Sequence, residues 1–309
     1  MQKVNCGVIG VGYLGSHHAR IYSEMDNVNL VGVFDINPDR AQEIAETYHC
    51  PAFSSMEALA EKCEALSVVT PTTKHAETAI PLLKLGCHLL VEKPLCVTLE
   101  EAEQMIQTAN ECQRYLQVGH IEHYNPVNSF LETQVQQPKY ITADRLAPFT
   151  PRGADVGVVL DLMIHDIGIV LQLVKSPIKK IEAIGINVIS KTEDIANARI
   201  YFENGCIANF NTSRVSLKKE REIRIFQPGK YISMNFMEQN GHVVFKQGDQ
   251  IVKEEIPLHK AEPLRVELNS FIECILQEHQ PKVNGTLARS ALAVALEITH
   301  QIQNNQLVA

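Results

Sequence analysis

The sequence predicts an α/β protein in which an N-terminal, doubly wound parallel sheet is followed by an α+β domain on an open, mainly antiparallel sheet. Three observations carry that expectation. Residues 1–35 read as strand, glycine turn, helix and a second strand ending in an acid. Helical and strand-like stretches then alternate to about residue 120, as a parallel sheet with crossover helices requires. Beyond that point strand-like runs are joined by Asn-Gly and Gly-Asp pairs, the chemistry of tight antiparallel turns.

Val4 to Ile9 is a short apolar run, and Gly10-Val11-Gly12-Tyr13-Leu14-Gly15 follows it directly. A G-x-G-x-x-G pattern between strand and helix fits a dinucleotide site of the Rossmann type. Gly10 permits the tight turn, Gly12 lets backbone approach a pyrophosphate, and Gly15 lets the helix lie close on the strand. The next strand, Val28 to Phe34, ends at Asp35, twenty positions after Gly15, where an acid meets the adenosine ribose hydroxyls. A carboxylate there repels the 2′-phosphate of NADP, so NAD is the expected cofactor. Arg40 either softens that preference or stands as a solvated helix residue.

Residues 38–48 have helical composition, with proline in the first turn where its missing N–H costs nothing. A short helix over 56–62 and a buried strand over 65–69 follow. Thr70, Pro71, Thr72 and His75 come next, at a strand's carboxyl end, where ligands of open α/β sheets collect. A helix over 74–85 closes at Gly86, and a strand over 88–91 leads into Glu92-Lys93-Pro94. Residues 99–113 form an amphipathic helix with Thr98 as N-cap, and 115–118 a last strand. The nucleotide domain is expected to span 1–120, and a substrate and oligomerisation domain 121–309.

In the second half, Ile195 to Phe202 and residues 206–213 read as strands joined at Asn204-Gly205. Residues 231–238 and 242–245 repeat the arrangement around Asn240-Gly241, and Gly248-Asp249 marks a third turn. The expected result is an antiparallel meander, preceded by a strand over 140–143 and a helix over 161–173. Helices over Pro263 to Gln277 and 286–303 close the chain. Such a sheet leaves one face to be covered, so a homodimer or homotetramer through it is expected.

The 309 residues suffice for two domains with sizeable cores. A formal charge of −8 without clustered Lys and Arg excludes a general affinity for nucleic acid and points to a small-molecule partner. Eight scattered cysteines with no C-x-x-C pair fit reduced thiols. With no leader pattern and no run of 18 apolar residues, the expected location is the cytoplasm, with no membrane partner.

Hydride transfer from an alcohol needs a proton acceptor and a group that steadies the developing alkoxide. Lys93 stands just past a strand's carboxyl end, on the cofactor side. Its ammonium at about 4 Å from an alkoxide is worth roughly 4 kcal/mol at an effective dielectric near 20. An exposed lysine fits the position equally. Asp161 and His165, four apart, share a helical face that Gly168 continues, leaving room for a ligand. A purely structural Asp–His contact fits the same spacing. No metal is expected: there is no H-E-x-x-H, and His120-Ile121-Glu122-His123 stands alone.

Taken together and in this order, the glycine fingerprint, Thr70-Pro71, Glu92-Lys93-Pro94 and Asp161-x-x-x-His165 resemble the glucose-fructose oxidoreductase/inositol dehydrogenase (Gfo/Idh/MocA) family over nearly the whole chain. The resemblance implies that Lys93 polarises the reacting oxygen, His165 is the general acid/base, Asp161 positions the substrate, and Glu92 belongs to the cofactor site. Residues 118–126 and 145–152 look like the UDP-N-acetylglucosamine 3-dehydrogenase branch of that family. They depart from it in reading His123-Tyr124-Asn125-Pro126 where Arg-Phe-Asn-Pro is commoner. Tyr124, Asn125, Arg145, Thr150 and Arg152 become candidate substrate contacts; the two arginines flanking a proline-rich loop suit a diphosphate or serve as loop anchors. The implied activity is NAD-dependent oxidation of a sugar's secondary alcohol, with the 3-hydroxyl of a UDP-linked amino sugar foremost. The alternatives are a free sugar or polyol such as inositol, and a non-catalytic cofactor-sensing regulator.

Overall fold

The structure, a computed structural model, describes residues 3–150 and 156–306. Its first half contains β1 (Val4–Ile9), α1 (Tyr13–Glu24), β2 (Val28–Phe34), α2 (Pro38–Thr47), α3 (Met56–Ala60), β3 (Ala65–Val68), α4 (His75–Lys84), β4 (His88–Glu92), α5 (Leu99–Glu111) and β5 (Leu116–Gly119). The second half continues with α6 (Pro126–Gln134), β6 (Tyr140–Leu146), α7 (Ile164–Val174), β7 (Ile178–Ile186), β8 (Ile195–Phe202), β9 (Ile207–Ser213), β10 (Glu220–Gln227), β11 (Lys230–Asn235), β12 (Asn240–Gln247), β13 (Gln250–Glu255), α8 (Pro263–Gln277) and α9 (Gly285–Gln306). The chain packs as two compact units, Met1–Ile121 with Pro263–Arg289, and Glu122–Glu262 with Ser290–Ala309. Pro263–Arg289, expected in the second domain, therefore lies in the first. The reason is apolar: Leu264, Leu268, Phe271 and Ile272 of α8 share a core with Cys6 and Val8 of β1 and with Ala19 and Tyr22 of α1.

The first unit holds a five-stranded parallel sheet in the order β2-β1-β3-β4-β5. All four residues of β3 and of β5 are buried, as expected of strands covered on both faces. A single parallel bridge between Val33 and Ala52 extends the β2 edge. The strand order reverses between β1 and β3, so the glycine turn after β1 and the Thr70 turn after β3 leave the sheet at its switch point. Thr98 caps α5 in a full capping box with Glu101, and Asn37 caps α2 ahead of Pro38.

The second unit holds an eight-stranded sheet in the order β13-β12-β11-β10-β6-β9-β8-β7. Its seam is parallel: β6 runs alongside β9 from the Tyr140–Ile207 pair to the Leu146–Ser213 pair, while the other neighbours are antiparallel. The expected single meander is thus two meanders joined at β6. Two strands escaped the sequence reading. β7 carries Ile184 and Ile186 on its exposed side, and β10 is thick with charge at Glu220, Arg221, Glu222 and Arg224, so neither shows clean alternation. One face buries Ile141, Ala143, Ala198, Ile200, Phe210, Ile223 and Ile225. The opposite face carries a row of rings, Tyr140, Phe226, Tyr231 and His242, with centroids 5.6, 4.9 and 6.0 Å apart in turn.

Asn240-Gly241 is not a turn. Both residues lie in β12, paired with Asn235 and Met234, and the reversal is made by residues 236–239, with Gln239 at φ 50°. A Cβ on Gly241 would stand 2.3 Å from the Ser233 carbonyl, so the glycine serves close strand packing. Asn204-Gly205 does turn, with Gly205 at φ 83° and its N–H donating to the Phe202 carbonyl at 3.0 Å.

Candidate active site

In the first unit, Gly10 sits at φ 83°, and a Cβ on Gly15 would lie 1.9 Å from the Gly10 carbonyl oxygen. Turn and helix therefore touch as the fingerprint demands. Gly12 is the N-cap of α1 with no side-chain capping bond, the first turn holds no acid, and no atom lies within 4 Å of a Cβ built on Gly12. The approach to the helix's first N–H groups is open there, which fits a pyrophosphate. Tyr13 is exposed beside it, and Leu14 packs on the core. Asp35 accepts the Val11 N–H at 2.8 Å and the Asn37 N–H at 2.9 Å, so it fixes the turn as well as ending β2. Arg40 donates from Nε to the Val11 carbonyl at 2.8 Å and pairs with Glu43 at 2.7 Å, which makes it a latch on the glycine turn.

At the end of β3 the Thr70 hydroxyl is buried with no hydrogen-bond partner among the described residues, and Pro71 precedes a short 3₁₀ turn, Thr72–Lys74. His75 is buried with Nδ1 3.0 Å from the Pro94 carbonyl and Nε2 2.8 Å from the Thr70 carbonyl. Burial lowers its pKa against those hydrogen bonds, so the neutral ring donates its one N–H to one of these two carbonyls. Both ring nitrogens face carbonyls of the first unit at the place where the sequence suggested a cofactor contact. Lys93 is half-buried just past β4. Glu92 beneath it is buried, with Oε1 3.2 Å from His18 Nε2 and Oε2 accepting the Lys93 N–H at 3.2 Å. His18 Nδ1 continues to Ser67 at 3.1 Å, and Ser67 to the Tyr22 hydroxyl at 2.9 Å. His18 and Tyr22 had no sequence signal beyond facing the buried side of α1.

In the second unit a turn of π-helix, Val159–Met163, runs straight into α7. Asp161, half-buried, lies in the π turn, and His165, 8% exposed, in the first turn of α7. Wide turns of this kind recur at functional sites, and no spacing rule would have found this one. Its start is held by Glu193, which accepts the Val159 N–H at 3.3 Å, while Asp194 accepts N–H groups from Val188, Ile189 and Ser190 at 2.7, 2.6 and 2.9 Å. Burial raises the Asp194 carboxyl, but these bonds outweigh it and bring it to about 2.

Arg145 departs from the expected substrate contact. It is 2% exposed, with Nε and Nη2 each 2.8 Å from the Asp166 carboxylate and Nη1 3.0 Å from Glu122. Arg221 joins the same Glu122 oxygen at 3.1 Å. A buried guanidinium whose three nitrogens each donate to a buried acid is committed to this network rather than held out to a diphosphate. Asn125 departs likewise: it caps α6 through the Val127 N–H at 3.1 Å and spends its amide on Glu122 and the Phe236 carbonyl. Nor does Gly168 make room for a ligand, since His123 Nε2 would stand 2.9 Å from its Cβ, and His123 is held by Gln172 at 2.9 Å. Tyr124 is buried and Thr150 exposed. Arg152 lies outside the described residues. Glu122 and Asp166 were legible only as neighbours of motif residues.

Residues 4–120 match the family described as "Oxidoreductase family, NAD-binding Rossmann fold", and residues 130–228 match the Gfo/Idh/MocA C-terminal domain. The chain belongs to the Gfo/Idh/MocA oxidoreductase family, and its cofactor is NAD. It is 35% identical to UDP-N-acetylglucosamine 3-dehydrogenase of Acidithiobacillus ferrooxidans over 96% of this chain and 97% of that one. The solved structure of that enzyme superposes with a TM-score of 0.94, covering 98% of this chain and 99% of the other. The scyllo-inositol 2-dehydrogenase (NAD(+)) of Bacillus subtilis is 27% identical over 98% of this chain and 95% of its own.

Proposed function

We propose that this oxidoreductase removes hydride from the 3-hydroxyl of UDP-N-acetylglucosamine. The observation that carries the reading is the end-to-end likeness to the Acidithiobacillus ferrooxidans enzyme, with Lys93, Asp161 and His165 all present. NAD, when bound, supplies the hydride acceptor. Gly10, Gly12 and Gly15 with the first turn of α1 hold its pyrophosphate, Asp35 its adenosine ribose, and the Thr70 hydroxyl faces its nicotinamide half. Lys93 binds the reacting oxygen and lowers the energy of the alkoxide, Asp161 orients the sugar, and His165 takes the hydroxyl proton. Thr150 and Arg152 contact the diphosphate. The protein works in the cytoplasm as a homo-oligomer, with the ring-bearing face of the eight-stranded sheet as the subunit contact.

The test is to incubate the protein with NAD and a panel of UDP-sugars, inositols and free sugars, following absorbance of the reduced nicotinamide. Turnover with UDP-N-acetylglucosamine well above the rest supports the reading. Turnover confined to inositols replaces it with the polyol reading, and NADH binding without turnover on any substrate replaces it with a sensor.

A further inference from the structure

The first unit contains a cavity of about 830 Å³ that the oxidoreductase chemistry does not use. Its wall includes His88, Arg114, Tyr115, Gln280, Asn284 and Thr286. His88 opens β4 and Tyr115 immediately precedes β5, so the cavity lies at the amino ends of these parallel strands, and Lys93 follows the carboxyl end of β4. A five-residue strand separates the two ends by roughly 16 Å. The size falls within the range of roughly 300–1,000 Å³ common to small-molecule sites.

Its polar groups are arranged as donors. The Tyr115 backbone N–H donates to His88 Nδ1 at 2.9 Å, which fixes the neutral ring with its proton on Nε2. Nε2 lies 3.5 Å from Arg114 Nη1, so two N–H donors face each other and an oxygen acceptor placed between them would satisfy both. Arg114 Nε is buried and has no hydrogen-bond partner among the described residues. Burial, and next the Arg114 charge, bring His88 down to about 4 against the opposing pull of Glu64, so the ring keeps this tautomer through the neutral range. The wall also contains the start of α9: Asn284 caps it through the Leu287 N–H at 3.0 Å, its first turn holds no acid, and Gly285 and Thr286 line the space. That end of a long helix favours negative charge. Amides from Asn110, Gln113 and Gln280 complete a lining suited to hydroxyls, and Glu278 is its one acid among the described residues.

We propose that this cavity is a second binding site, for a small hydroxylated oxyanion whose charged oxygens are taken by Arg114, His88 Nε2 and the start of α9. The proposal is independent of which sugar is oxidised. Calorimetric titration of the full chain, saturated with NAD, with inorganic phosphate, glucose 6-phosphate and citrate tests it. Saturable binding of at least one is expected, with glucose 6-phosphate ahead of phosphate if the amides meet hydroxyls and citrate ahead of both if carboxylates are preferred. Arg114→Gln should weaken that binding tenfold or more and leave NAD affinity unchanged. Thr286→Asp should weaken it as well, while an acid in the first turn of α9 keeps the helix intact. No saturable binding by any of the three, equal binding by both variants, or binding that NAD abolishes would overturn the proposal.

Discussion

Arg145→Met takes the guanidinium out of a buried ion network and leaves most of the aliphatic stem. Asp166, 5% exposed, loses both of its 2.8 Å bonds. Glu122 loses one at 3.0 Å but keeps Arg221 at 3.1 Å and Asn125 at 3.2 Å. Removing one partner of a buried pair costs about 3–5 kcal/mol, because the other charge is left uncompensated. Since Glu122 retains two contacts, the loss belongs chiefly to Asp166, and the expected destabilisation is about 3 kcal/mol, at the low end of that range. Arg145→Met combined with Asp166→Leu leaves no orphaned charge there and should regain most of the loss. The chain has no tryptophan, so urea unfolding is followed by circular dichroism and tyrosine fluorescence. The pH dependence has a definite sign. Burial raises the Glu122 carboxyl, but Arg145 and Arg221 outweigh it and hold it below 4.5. A lowered folded pKa gives stability that is present above the unfolded value, about 4.3, and lost as pH falls through the folded one. The part of the Arg145→Met deficit that belongs to Glu122 should therefore shrink below about pH 4. A cost under about 1 kcal/mol for the single variant, or a double variant no better than the single, would refute the reasoning.

Lys93→Met should leave NAD binding nearly intact and lower kcat by roughly two or more powers of ten, given the usual size of electrostatic stabilisation; near-normal turnover rules out its role. Asp35→Ala should weaken NAD more than NADP in fluorescence titrations, and an unchanged preference would show that the ribose contact lies elsewhere. Glu267 is fully buried in α8, and burial together with the Glu92 charge pushes its carboxyl well above the usual range. The folded chain then holds a proton that the unfolded chain releases above about pH 4.3, so this group weakens stability as pH rises. Glu267→Gln removes that penalty, and its gain in Tm over the wild type should grow from about pH 5 to about pH 8; a constant difference contradicts the assignment.

The first unit was legible because its signals are local. Gly10, Gly12, Gly15 and Asp35 lie in one strand-turn-helix-strand stretch whose period and punctuation fix the local geometry, and Thr98 with Glu101 announces α5 by itself. The second unit was legible only in part, because its arrangement depends on pairings distant in sequence. No local pattern marks β6 and β9 as parallel neighbours, and Asn240-Gly241 reads as a turn until Met234 and Ser233 are seen to need a glycine opposite them. In the same way Arg145 reads as a free cation until β6 brings it to Asp166, and Asn125 as a polar contact until it caps α6. The π turn at Asp161 starts at Val159, whose N–H is held by Glu193, more than thirty residues on, a contact that spacing along one helix cannot reveal.

The central claim is that hydride leaves C3 of the sugar of UDP-N-acetylglucosamine for nicotinamide. UDP-N-acetylglucosamine deuterated at C3, incubated with the protein and unlabelled NAD, tests it directly by mass spectrometry of the recovered dinucleotide. Deuterium in the reduced nicotinamide, together with a slower initial rate than the protiated sugar gives, is the expected result. Reduced nicotinamide without deuterium would place the oxidised carbon elsewhere, and no reduced nicotinamide at all would remove the assigned substrate.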